Sequence, residues 1–170
     1  DNRAEYGLLN HRPAAGFDPS FIALSTLDLA VDSIYNRGAD IALQIRRMAF
    51  TERSGLTVSD MTGDIGMDAS GISLAGVTLK TPFSRIEANI SAGEGILALA
   101  PDSPLKAALT ADVNTKDLKY LYPALIPPML DGRIVSLALT AAGTLGDIGK
   151  AGLDISSPGH VAFTADGAAR

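Results

Sequence analysis

Few residues in this 170-residue chain have types and spacings that suit chemistry. The two histidines, His11 and His160, lie far apart, and there is no cysteine. That combination offers no metal-ligand spacing, no zinc-thiolate site and no thiol nucleophile. No serine sits in a Gly-x-Ser-x-Gly elbow. The run Gly143–Gly149, GTLGDIG, is glycine-rich like a phosphate loop. It lacks the Lys-Ser/Thr pair and the strand-to-helix setting, so it reads as a turn and bulge. Asp28, Asp32, Asp60, Asp64 and Asp68 are spaced as the wet face of a sheet would be, with a weak calcium contact as the alternative. Aromatic platforms and paired catalytic carboxylates for carbohydrate chemistry are missing as well. The expectation is therefore a protein that is not an enzyme, with no cofactor and no metal.

Charge excludes another class. The net charge is −5, and phosphate neutralisation needs clustered Lys and Arg, so no nucleic-acid partner is expected. The basic pair Arg46-Arg47 would point to opposite faces of a strand and be solvated. No run approaches the ~20 apolar residues of a spanning helix. Asp1-Asn2-Arg3 leads into polar sequence, without signal peptide or initiating Met, and the chain reads as a fragment of a longer protein.

The elements that would carry any function are strands. The chain is 46% apolar but only 5% aromatic, with 17 glycines and 9 prolines, so its apolar content is small aliphatics broken by turns. Residues 1–20 show no periodicity and read as an irregular lead. Residues 21–170 read as a single β-rich domain. Leu27, Leu29 and Val31 alternate with polar neighbours, as do Ile41, Leu43 and Ile45, with Asn36-Arg37-Gly38 between them as a hairpin loop. A two-helix hairpin fits the same stretch less completely.

Short strand-like runs follow at Leu56–Met61, Asp64–Ala69, Ile72–Lys80, Arg85–Ala92 and Ile96–Leu99. Further runs are Lys106–Val113, Arg133–Ala142, Ala151–Ile155 and His160–Ala165. Within Ile72–Lys80 the apolar phase slips from Ile72 and Leu74 to Val77 and Leu79, which places a β-bulge at Gly76. Thr81-Pro82 then stops the ladder, because proline cannot donate to it. One segment differs. In 115–130, Thr115 can cap a short helix near 115–126, with Asp117 in its first turn. Leu118, Leu121, Tyr122 and Leu125 form its stripe, and Pro127-Pro128 ends it. The fold expected is all-β, a mainly antiparallel meander that is either a curved sheet or sandwich-like, with this helix covering one edge or end.

Three stretches carry a family resemblance: ERSGL at Glu52–Leu56, then ISLAGVTLKTPFSRIEANI at Ile72–Ile90, and DLKYLYPALIPPMLDGRIVSLALTAAGTLGDI at Asp117–Ile148. In these, and over about residues 20–166, the chain resembles TamB-like proteins of the Bacteroidetes type. These are translocation and assembly module subunits of the AsmA-like superfamily. The resemblance implies a β-taco groove in a periplasmic protein whose parent is anchored in the inner membrane. It further implies outer-membrane biogenesis, phospholipid transport between membranes and an outer-membrane barrel partner of the TamA/BamA type. The implied groove residues are Leu27, Leu29, Val31, Ile41, Leu43, Ile45, Ile72, Leu74, Ile86 and Ile90, against phospholipid acyl chains. On the residues alone, a plain sandwich core is the stronger reading of these aliphatics, and the resemblance is what favours a groove. An adaptor docking a partner by β-augmentation is the other function carried.

Overall fold

A computed structural model describes residues 2–7, 16–38, 40–69, 71–93, 101–122, 126, 128–144, 146–159 and 161–169. The chain is all-β: ten strands form one antiparallel meander sheet in sequential order, not closed, with one short helix. The strands are β1 (Ala4–Gly7), β2 (Phe21–Arg37), β3 (Asp40–Glu52), β4 (Thr57–Asp68), β5 (Gly71–Lys80), β6 (Arg85–Gly93), β7 (Pro104–Asn114), β8 (Ile134–Thr144), β9 (Ile148–Ser157) and β10 (Val161–Ala169). The helix α1 (Thr115–Leu121) and a 3-10 turn at Pro128–Leu130 are inserted between β7 and β8. The single layer removes the sandwich alternative, and the two runs after residue 20 form β2 and β3 rather than helices.

Several local expectations are corrected. The lead contains β1, which pairs Ala4–Gly7 with Phe21–Leu24; so short a strand is too brief to show alternation. Leu56–Met61 and Asp64–Ala69 are not separate strands but one, β4, bent at Gly63. Gly63 has φ +143°, and a Cβ there would lie 2.7 Å from the Val77 Cα. Glycine marks a close backbone approach here, not a turn.

Arg46 and Arg47 are not split between faces. The β3–β4 register skips between Ile45 and Met48. That extra residue keeps Ile45 and Met48 on one side and leaves both arginines on the other. There Arg46 Nε lies 3.1 Å from Asp32 Oδ1, and Arg47 Nη2 lies 3.4 Å from Asp28 Oδ2. The run Ile96–Leu99, both histidines, Leu125 and Pro127 lie outside the described residues.

Other expectations hold. The β5–β6 register breaks between Leu74 and Val77, and Gly76 sits in that break with φ +58°. Its N–H donates to Asn89 Oδ1 at 2.8 Å. The ladder stops at Thr81-Pro82 as a tight turn, closed by Thr81 N–H to the Ser84 carbonyl at 3.0 Å. The segment Gly143–Gly149 is the β8–β9 turn, with Thr144 N–H donating to the Asp147 carbonyl at 2.9 Å.

Candidate functional site: an uncovered aliphatic face

Directly paired residues of an antiparallel sheet share a face, so the register alone draws the site. One row runs Ile34, Leu43, Ile65, Leu74, Ile90, Ala107, Ala141, Ala151 across eight strands. A second runs Leu29, Met48, Met61, Leu79, Ile86, Ala111, Leu137, Ile155. A third runs Ile41, Met67, Ile72, Ala92, Leu105. Between the first two, Val31 pairs with Ile45 and Ile45 with Gly63. Past the bulge that row resumes as Val77, Ala88, Leu109, Leu139 and Leu153. The result is one unbroken aliphatic face from β2 to β9.

All the groove residues named from sequence except Leu27 fall on these rows. Leu27 stands at a bulge of β2, where the pairing with β3 skips from Ser25 to Asp28. Its backbone is tied instead to Asn2, whose carbonyl accepts the Leu27 N–H at 3.1 Å. Sequence reasoning left out Met48, Met61, Ile65, Met67 and the β7–β9 leucines. Their alternation was visible, and only the register shows that they continue the same face.

No second layer covers this face among the described residues. The main contacts that join elements run between consecutive strands, with α1 against β7 in addition. Of the described apolar residues only Ile45, Val58, Ala88 and Ala111 are buried. The other aliphatics in the middle of the sheet are half-covered by neighbours on their own face, and edge residues such as Ile34 are open, at 72% exposure. The chain exposes 10733 Å² in total. A compact monomer of 17.6 kDa would expose about 7,900 Å².

The opposite face is polar and knitted to itself. Thr62 and Thr78 hydroxyls lie 2.8 Å apart, Lys80 bridges Asp60 at 3.3 Å, and Ser136 donates to Asp112 at 2.6 Å. An open depression of about 270 Å³ lies on that side, between Arg85, Glu87, Asp112, Ser136 and Asp154. No group of carboxylates and imidazoles with metal-binding geometry occurs among the described residues.

One end of the sheet carries a buried polar joint that sequence reasoning missed. Asp117 stands in the first turn of α1 as expected, and it is buried there at 5% exposure. Its Oδ2 accepts hydrogen bonds from Thr81 Oγ1 and Ser84 Oγ, each 2.5 Å. Ser84 Oγ also accepts the Asn114 N–H at 2.9 Å. Asn114, not Thr115, is the N-cap, accepting Lys116 N–H at 3.0 Å. Thr115 is buried and donates to the Leu130 carbonyl at 2.7 Å. The expected stripe does not bury the helix: its buried residues are Thr115 and Asp117, while Tyr122 is open to solvent. A Thr-x-x-Ser turn followed far along by Asn-Thr-x-Asp carries no pairwise signal, because the pairing is tertiary.

At the same end Glu52 is buried in the β3–β4 turn, with Oε2 accepting the Ser54 N–H at 2.6 Å. Burial pushes this carboxyl up, but hydrogen bonds from Ser54 and from the Ala23 and Arg53 backbone together carry it below its usual value. Among the described residues its Oε1 finds no hydrogen-bond partner.

Fold and site together define an open, single-layer β-sheet protein with one aliphatic and one polar face. No protein-family model, curated protein or solved structure matches the chain.

Proposed function

We propose that this chain is a segment of a lipid-conducting β-groove. In this reading the parent protein spans the periplasm from an inner-membrane anchor and serves outer-membrane biogenesis and phospholipid transport between the membranes. Phospholipid acyl chains are the ligand, and an outer-membrane barrel of the TamA/BamA type is the partner. No catalytic step is part of this reading.

The observation that supports it is the continuous aliphatic face from β2 to β9, without a covering layer among the described residues. Apolar surface of this extent is costly in water, and acyl chains would cover it without demanding the convergent polar groups of a selective pocket. The resemblance in sequence points the same way.

The test uses the alternation. A photo-crosslinking residue placed at Leu43 in the parent protein in cells should give phospholipid adducts. The same residue at Gln44, on the other face, should give none. Protein adducts at 44 with no lipid at 43 would sink the proposal. That outcome would favour the adaptor reading, which the open edges of the sheet at β1 and β10 support.

A further inference from the structure

In an antiparallel meander, successive connections alternate between the two ends of the strands. The β1–β2, β3–β4, β5–β6 and β7–β8 connections therefore share one end with the β9–β10 turn, the α1 end. α1 lies in the β7–β8 connection and touches each of the three that precede it. In the β5–β6 turn, Asp117 Oδ2 accepts hydrogen bonds from Thr81 and Ser84, and Lys116 Nζ sits 5.1 Å from the Phe83 ring centroid. In the β3–β4 turn, the Tyr120 ring lies against Gly55, where φ is +100° and a Cβ would stand 3.0 Å from Tyr120 Cε1. In the β1–β2 connection, Phe17 meets Tyr122 edge to face, with ring centroids 6.5 Å apart. Along the helix, Asp117, Tyr120 and Tyr122 reach turns successively farther from β7.

A single-layer sheet lacks the packing partner that fixes the shape of a sandwich. The twist between neighbouring strands ranges over roughly 10–35°, and the register breaks of β2–β5 add local bends. Strands β2 and β7 are five steps apart in the sheet, roughly 24 Å at the usual strand spacing. The seven residues of α1 span about 10 Å, and its rings supply the rest of the reach. The turns cannot spread without breaking these contacts. Tyr120 and Tyr122 stay exposed, so they tie turns together rather than fill a core. Among the described residues no helix crosses the other end, where Gly146 N–H donates to the Pro101 carbonyl at 2.6 Å.

We propose that α1 is a strap that holds one margin of the aliphatic face at a fixed width. Tyr120 and Tyr122 are then positioning residues for the acyl chains on that face: the rings touch turns, not lipid. This rests on the reading that the face takes lipid. A face of fixed curvature is preorganised for its ligand, whereas a sheet that flattens offers the competent shape only part of the time.

The test uses pairs of spin labels on introduced cysteines, since the chain has none of its own. Ser59→Cys with Arg133→Cys reports the separation of β4 and β8 at the α1 end, and Ala69→Cys with Ala142→Cys reports it at the other end. In Tyr120→Ala with Tyr122→Ala, the α1-end distance should lengthen by roughly 5 Å, one strand spacing, while the other distance holds and so reports a folded variant. Binding of phosphatidylcholine with a fluorescent acyl chain should weaken about tenfold, as when the competent shape falls to about a tenth of the population. Tyr120→Phe with Tyr122→Phe keeps both rings and should restore both readings.

An unchanged α1-end distance in the alanine variant would overturn the strap, and so would equal lengthening at both ends. A longer distance with lipid binding intact would overturn the positioning role. If wild type binds no lipid, the groove reading fails and the positioning role with it, an outcome that the distances separate from failure of the strap.

Discussion

Strands β2–β5 and β6–β9 build the same aliphatic face in two different ways. In β2–β5 every pairing contains a register break: Ala30–Ser33 against β3, Ile45–Phe50 against β4, Thr62–Asp64 against β5 and Leu74–Val77 against β6. The side chains there are mostly Ile, Leu and Met. From β6 to β9 the three pairings run without a break, and alanines such as Ala88, Ala107, Ala111, Ala141 and Ala151 share the face with leucines. Each bulge adds twist and bend to its strand, so bulky residues meet an irregular backbone and small residues a regular one. The bulges also move charge. Arg46 and Arg47 escape the aliphatic face because the backbone there carries one residue too many.

The two regions are joined at the α1 end by Asp117, which ties the β5–β6 turn to the β7–β8 insert. Breaking that joint should have the largest effect. Asp117→Ala leaves Thr81 and Ser84 without their charged acceptor and should cost about 3 kcal/mol in urea denaturation. An unchanged midpoint would show that the insert is not anchored through this carboxylate.

The difference in backbone itself is sharpened by two glycines. Gly63→Ala in the bulged half pushes a methyl against the Val77 backbone at positive φ and should cost roughly 2 kcal/mol. Gly149→Ala in the regular half finds its nearest neighbour at 3.8 Å and should stay within about 0.5 kcal/mol. Equal effects would erase the distinction between the halves.

The smallest effect concerns pH. The folded Glu52 carboxyl lies below the ordinary glutamate value of 4.5, so its stabilisation is complete above that pH and is lost as pH falls through the folded pKa. The stability gap between wild type and Glu52→Gln should therefore be present at neutral pH and shrink in acid as pH falls through the lowered folded pKa. A gap that widens in acid would contradict the assigned hydrogen bonds.

Much of this architecture was legible residue by residue. Alternation at Ile41, Leu43 and Ile45 marks a strand with one wet face, because successive side chains in an extended chain point to opposite sides. The phase slip around Gly76 announces its bulge for the same reason, and Thr81-Pro82 announces a turn because proline has no N–H. The division between Leu56–Met61 and Asp64–Ala69 failed, since the polar Thr62-Gly63-Asp64 between them reads equally as a turn or as a bulge inside one strand. Only contact with Val77 across the strand decides between them.

The sequence by itself determined most strands and turns and, away from the bulges, which side of each strand is apolar, since these follow from a period of two and from local backbone sterics. Tertiary structure decided that the apolar sides align into one face, that no second layer covers it among the described residues, and that Asp117 is buried. Those facts depend on register and on partners far along the chain, such as Thr81 with Asp117. No local pattern encodes such pairs, because hydrogen bonding and burial depend on what the fold brings alongside each residue.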